Sequence, residues 1–127
     1  MLETPRLRLR TFEARDQAPM ARLCADPRVL EHFPSVLSAA ETEALLARID
    51  AHQAAHGFSF FAVERKPSGE FIGTAGLLRP RFSAHFTPCV EVGWRLFPHT
   101  WGEGLATEAA RACVELGFGS LGLSQIV

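Results

Sequence analysis

The run Pro98-His99-Thr100-Trp101-Gly102-Glu103-Gly104-Leu105-Ala106-Thr107-Glu108-Ala109 sets two glycines, one residue apart, where a strand-like stretch meets a helix-like one. Such a turn can aim several backbone N–H groups at one point, in front of the positive end of a helix dipole. Glycine at 102 and 104 permits positive φ and close approach of a ligand. The chemistry this suits is the holding of a phosphate or diphosphate, so the expectation is a phosphorylated cofactor. A P-loop would need Gly-Lys-Ser/Thr after the glycines, and the chain has Gly104-Leu105-Ala106. A dinucleotide fingerprint wants a small third residue, where Thr107 stands, and more chain than follows here. By themselves the two glycines serve a purely structural turn equally well.

The elements that must position this turn follow from periodicity. Thr4 to Phe12 reads as a first strand, because Leu7 and Leu9 alternate with Arg6, Arg8 and Arg10. That alternation speaks against a basic nucleic-acid arm. Asp16 can cap a helix running to about Ala25. Ser38-Ala39-Ala40-Glu41 is a capping box, opening a helix with Leu45, Leu46 and Ile49 on one face and an end near Gly57. Phe58–Glu64 and Phe71–Leu78 read as an antiparallel hairpin across the Lys66–Gly69 turn, and Cys89–Phe97 as the strand leading to the glycines. Gly104–Leu116 is helical, with Leu105, Ala109, Cys113 and Leu116 on one face and Glu108, Arg111 and Glu115 spaced to pair on another. Leu123–Val127 begins a last strand. This order implies one α+β or α/β domain.

Bulk composition narrows the partners. The chain has 127 residues, 47% hydrophobic and 21% charged, which fits one globular domain. A net charge of −1 supplies no field for nucleic acid or an anionic membrane, and no run reaches membrane-spanning length. The three cysteines, Cys24, Cys89 and Cys113, lack metal-ligand spacing and read as buried, reduced thiols. With no signal-peptide pattern at the start, the expected location is cytoplasmic.

His99-x-x-Gly102-x-Gly104-x-Ala106 resembles the acetyl-CoA diphosphate loop of the GNAT N-acetyltransferases. Trp101–Ala109 is similar to the version found in the RimJ/RimL-type branch, Thr4–Arg10 to that branch's N-terminal strand, and Glu91–Leu96 to its central strand. His99 stands where Gln or Arg is usual. The resemblance implies a mixed, mainly antiparallel sheet flanked by helices, an α/β/α sandwich with a parallel strand pair splayed at the cofactor. Members continue past the strand that begins at Leu123 to a further helix and a hairpin. On that comparison residues 1–127 are expected to be a single GNAT-like domain, incomplete at its C-terminus and prone to self-association.

The resemblance also implies transfer of an acetyl group from acetyl-CoA to a primary amine, either a protein N-terminus or a small molecule. Glu91 becomes the candidate base that deprotonates the acceptor. A backbone N–H near Trp94–Leu96 becomes the oxyanion donor. Backbone groups of Leu96 and Phe97 would bond pantetheine, and the N–H groups of Trp101, Gly102, Gly104 and Ala106, with the Thr107 hydroxyl, would hold the diphosphate. Trp94 and Trp101 read as packing groups, while Phe33-Pro34-Ser35 and His85-Phe86 could border the acceptor. Two further functions compete with transfer: a CoA-binding module without turnover, and a scaffold in which the turn binds nothing.

Overall fold

The computed structural model describes residues 2–30, 35–78, 90–119 and 126 of the protein. Among these residues five strands pair in chain order, all antiparallel: β1 (Leu2–Glu3), β2 (Leu7–Arg10), β3 (Phe60–Arg65), β4 (Glu70–Leu78) and β5 (Glu91–Leu96). Among the described residues three α-helices flank them: α1 (Gln17–Cys24), α2 (Ala39–His56) and α3 (Leu105–Phe118). The fold is α+β, as the sequence indicates.

The first strand is shorter than its alternation suggests. Pro5 has no N–H to give to a ladder, and Thr4 closes a turn around it. The Thr4 N–H donates to the Leu7 carbonyl at 2.9 Å, and the Leu7 N–H donates to Thr4 Oγ1 at 3.0 Å. The chain ahead of the turn folds back as β1, with Leu2 opposite Leu9. Asp16 stands at the start of α1, but its side chain does not cap it. The carboxylate is drawn instead to the Arg10 guanidinium, at 2.7 and 2.8 Å.

The other boundaries follow local chemistry. Ser38 and Glu41 form the reciprocal box at the start of α2: the Glu41 N–H donates to Ser38 Oγ at 3.1 Å, and the Ser38 N–H donates to Glu41 Oε1 at 2.8 Å. Gly57, at φ +79°, ends that helix. β3 and β4 form the expected hairpin. The expected strand over Leu123–Val127 lies outside the described residues, except that Ile126 makes a parallel bridge with Val90.

Two apolar layers sandwich the sheet. On one face Leu105, Ala109 and Cys113 of α3 pack on Leu7, Leu9, Phe61, Val63, Ala75, Leu77 and Leu96. On the other, Met20, Leu23 and Cys24 of α1 pack with Phe12, Phe71, Phe97 and the α2 residues Leu45 and Leu46. Each fully buried leucine contributes roughly 1.5–3 kcal/mol, so these layers, rather than the surface ion pairs, hold α3 and α1 to the strands.

Candidate active site

β5 and the turn after it organise the site. The Phe97 N–H donates to the Ile72 carbonyl of β4 at 2.9 Å, which sets the phase of the ladder. By antiparallel alternation, Gly93 and Arg95 then bond toward β4, while the N–H and C=O of Trp94 and Leu96 point to the opposite side of β5. That is the side on which Val90 meets Ile126. Side chains alternate at right angles to this. Val92, Trp94 and Leu96 face α3, and Glu91, Gly93 and Arg95 face the α1 layer, in register with Leu78, Gly76 and Thr74.

After Leu96 the chain makes a tight turn over Pro98–Thr100, runs through Trp101–Gly104 and enters α3. Gly102 has φ +85° and Gly104, at the helix N-cap, φ +78°. Both conformations are open to glycine and costly for other residues. A glycine N-cap offers no side-chain oxygen, and the first helical N–H to find a carbonyl is that of Glu108, donating to Gly104 at 3.1 Å. The first-turn amides of Leu105, Ala106 and Thr107 are those a helix leaves without an internal partner.

Beside this helix start lies a pocket of about 270 Å3 lined by Trp94, Leu96, Thr100, Trp101, Gly102, Gly104, Leu105, Ala106 and Thr107. The tertiary structure thus brings together Leu96, Trp101, Gly102, Gly104, Ala106 and Thr107 from the sequence-derived set. Trp94 and Trp101 wall the pocket with 48% and 51% of their surface exposed, and so are not the packing groups the sequence indicates.

Glu91 and Phe97 lie outside that pocket. Glu91 sits at the start of β5, on the other face and about 17 Å along the strand from Leu96 at 3.3–3.4 Å per residue. The Phe97 ring packs in the α1 layer. Its backbone is engaged on both sides, the N–H with Ile72 and the carbonyl with the Thr100 N–H at 3.0 Å and hydroxyl at 2.7 Å. The Trp101 N–H is likewise spent on the Pro98 carbonyl at 3.1 Å, while its indole Nε1 donates to the Leu96 carbonyl at 3.0 Å. His99 turns back to Glu70, with 3.1 Å between Nε2 and Oε2.

One group at the site escaped sequence reasoning. Glu108, expected to pair with Arg111 along the helix, instead receives the Arg6 Nε at 2.8 Å, the Arg6 N–H at 3.0 Å and a short hydrogen bond from the Thr4 hydroxyl. Arg6 Nη1 also donates to the Glu103 carbonyl at 2.8 Å, and Arg65 Nη2 to the Glu103 carboxylate at 2.9 Å. Burial pushes the Glu108 carboxyl up, but the bonds from Thr4 and Arg6 outweigh it and hold the group below the usual carboxylate range. Nothing in the spacing of a sequence shows a partner about a hundred residues away.

The described cysteines are inert packing groups. Burial pushes the Cys113 thiol up to about 12 and raises that of Cys24 too, so neither supplies a thiolate near neutral pH. Among the described residues no three His, Cys, Asp or Glu gather as a metal site, and no helix is long and apolar enough to cross a membrane. Cys89, His85, Phe86, Phe33 and Pro34 lie outside the described residues.

Residues 6–127 match the acetyltransferase (GNAT) domain family. The uncharacterized protein YkkB of Bacillus subtilis (strain 168) is 33% identical over 118 residues, covering 92% of this chain and 67% of its own. An acetyltransferase from Agrobacterium tumefaciens superposes with a TM-score of 0.83 at 28% identity, over 98% of this chain and 70% of that one. A spermidine N-acetyltransferase from Vibrio cholerae, solved with CoA and spermine, shares the fold with a TM-score of 0.74 at 21% identity, over 97% of this chain and 70% of that one.

Proposed function

The chain belongs to the GNAT acetyltransferase domain family, and we propose that it moves the acetyl group of acetyl-CoA directly onto a primary amine. The observation that carries this reading is the pocket in front of α3, where a glycine turn, uncapped helix amides and the outward edge of β5 meet. The diphosphate of CoA sits on the N–H groups of Gly102, Gly104 and Ala106, with the Thr107 hydroxyl beside them. The Trp101 and Phe97 amides are already bonded within the chain, so they belong to the frame of the site. Pantetheine then runs along β5, using the outward N–H of Leu96 and sharing its carbonyl with the Trp101 indole.

In the chemical step the amine nitrogen attacks the thioester carbonyl. The C–N bond forms, the C–S bond breaks, and CoA leaves as the thiolate. The amine proton passes to Glu91, directly or through water, because an ammonium has no lone pair to attack with. The oxyanion of the tetrahedral intermediate is met by an outward amide of Trp94 or Leu96. With Glu91 on the face away from the pocket, donor and acceptor approach β5 from opposite sides of the sheet.

The segments Thr4–Arg10, Glu91–Leu96 and Trp101–Ala109 support a place in the RimJ/RimL-like branch, with a protein N-terminal amine as acceptor. A small amine is the other class, the spermine bound by the Vibrio cholerae enzyme being one of that chemistry. Calorimetry with CoA, followed by amine-dependent release of CoA from acetyl-CoA, tests the reading. Saturable binding and release with N-terminal peptides or polyamines are expected. Binding without release would leave a CoA-binding module, and no binding would sink the cofactor assignment.

A further inference from the structure

We propose that Arg6 is a positioning residue for the diphosphate cradle, holding the Glu103–Gly104 peptide so that its N–H faces the pocket. This rests on the reading of that pocket as the CoA site. In a trans peptide the C=O and the next N–H point in opposite directions. Arg6 Nη1 holds the Glu103 carbonyl at 2.8 Å. The Gly104 N–H of the same plane is thereby turned away from Arg6.

Gly104 stands between the two. Its pocket-side surroundings are Trp94, Leu96 and Ala106, while on the other side a Cβ built on it would lie 3.5 Å from Arg6 Nη2. A glycine at positive φ has no side chain to limit its own peptide rotation, so the orientation has to come from outside the turn.

Arg6 is itself fixed. Both oxygens of Glu108 take its Nε and backbone N–H at 2.8 and 3.0 Å, and the Thr4 hydroxyl adds a third bond to that carboxylate. The fork of the guanidinium matters here: Nε goes to the first turn of α3 and Nη1 to the turn ahead of it. Arg65 holds the Glu103 side chain at 2.9 Å as a second brace. The two arginines are balanced by Glu103 and Glu108, so the cluster adds no net charge and acts through geometry. The Arg6 side of its pair with Glu108 is 48% exposed and the Glu108 side 17%, so water screens the pair and its contribution to folding is modest.

The test compares CoA with pantetheine, which lacks the diphosphate, using calorimetric Kd values on the full chain. Arg6→Gln is expected to weaken CoA about 10- to 100-fold, the scale of one or two charge-assisted hydrogen bonds. Pantetheine should change less than about threefold, and the melting temperature only slightly. Arg6→Lys keeps the charge without the fork, and should show the same CoA-selective loss. It serves as the second readout should Arg6→Gln fold poorly. Arg65→Gln should follow in the same direction with a smaller effect. Equal weakening of both ligands, or full recovery in Arg6→Lys, would overturn the proposal. A wild-type chain that binds CoA no better than pantetheine would instead remove the diphosphate site itself.

Discussion

Glu91 and the amides before α3 are served by one strand, with alternate residues of β5 facing opposite sides of the sheet. On the proposed reading, Glu91 on the far face takes a proton from an incoming amine without competing for the cofactor's space. The expected outcome for Glu91→Gln is a fall in kcat of about 10²–10⁴-fold, with the affinity for CoA retained and the pH profile of the rate altered. Steady-state kinetics across pH, together with calorimetry, check this. An unchanged rate and profile would remove Glu91 as the base. At the same scale, Glu108 shows how a carboxylate on a helix surface can be diverted. A helical neighbour in water is worth a few tenths of a kcal/mol, and a guanidinium with a hydroxyl in a half-buried notch outcompetes it.

At the scale of elements, the two ends that matter are built in opposite ways. α2 begins on a full reciprocal cap between Ser38 and Glu41, whereas α3 begins on Gly104 with no side-chain cap. A capped start satisfies its own amides, and an uncapped one leaves them for a ligand. Ser38→Ala should therefore cost about 1 kcal/mol of stability and lower the melting temperature by a few degrees. It should leave the CoA Kd unchanged, because α2 packs on the face away from the pocket. Denaturant melts and calorimetry on one preparation separate the two effects.

Across the whole molecule, a buried charged network ties the early chain to the hairpin. Arg10 reaches both oxygens of Asp16 and makes a short contact with Glu64, which also receives Arg8 and Arg15 at 3.2 Å each. Burial alone would push the Asp16 and Glu64 carboxyls up, but the bonds from Arg10 and its neighbours outweigh it and hold both below the usual carboxylate range. The sign follows from linkage. A carboxyl whose folded pKa is lowered adds stability that is present above its unfolded value, near 4, and is lost as pH falls through the folded value. Unfolding free energy should therefore drop steeply below about pH 4. Asp16→Asn should cost roughly 1–3 kcal/mol at neutral pH, since Arg10 loses one of its two buried carboxylate partners and keeps Glu64, and should flatten the acid slope. Denaturant titrations at several pH values measure both, and an unchanged acid slope in Asp16→Asn would show that Asp16 does not carry it.

Periodicity and punctuation were enough to mark β2 through Leu7 and Leu9, α2 through Ser38, Glu41 and Gly57, the hairpin across Lys66–Gly69, and the strand, glycine turn and helix that meet at residues 96–105. These are local: each is set by φ preferences, caps and alternation within a few residues. The two-glycine turn ahead of a helix was legible for the same reason. Only the tertiary structure decided which of its amides are still available, because Trp101 and Phe97 spend theirs on Pro98 and Ile72. It alone decided that Asp16 serves Arg10 and the Glu13 N–H rather than capping α1, and that Arg6 and Glu108, 102 positions apart, join beside the turn. Those choices are contests between partners brought close by packing, and a linear sequence carries no record of which partner lies nearer.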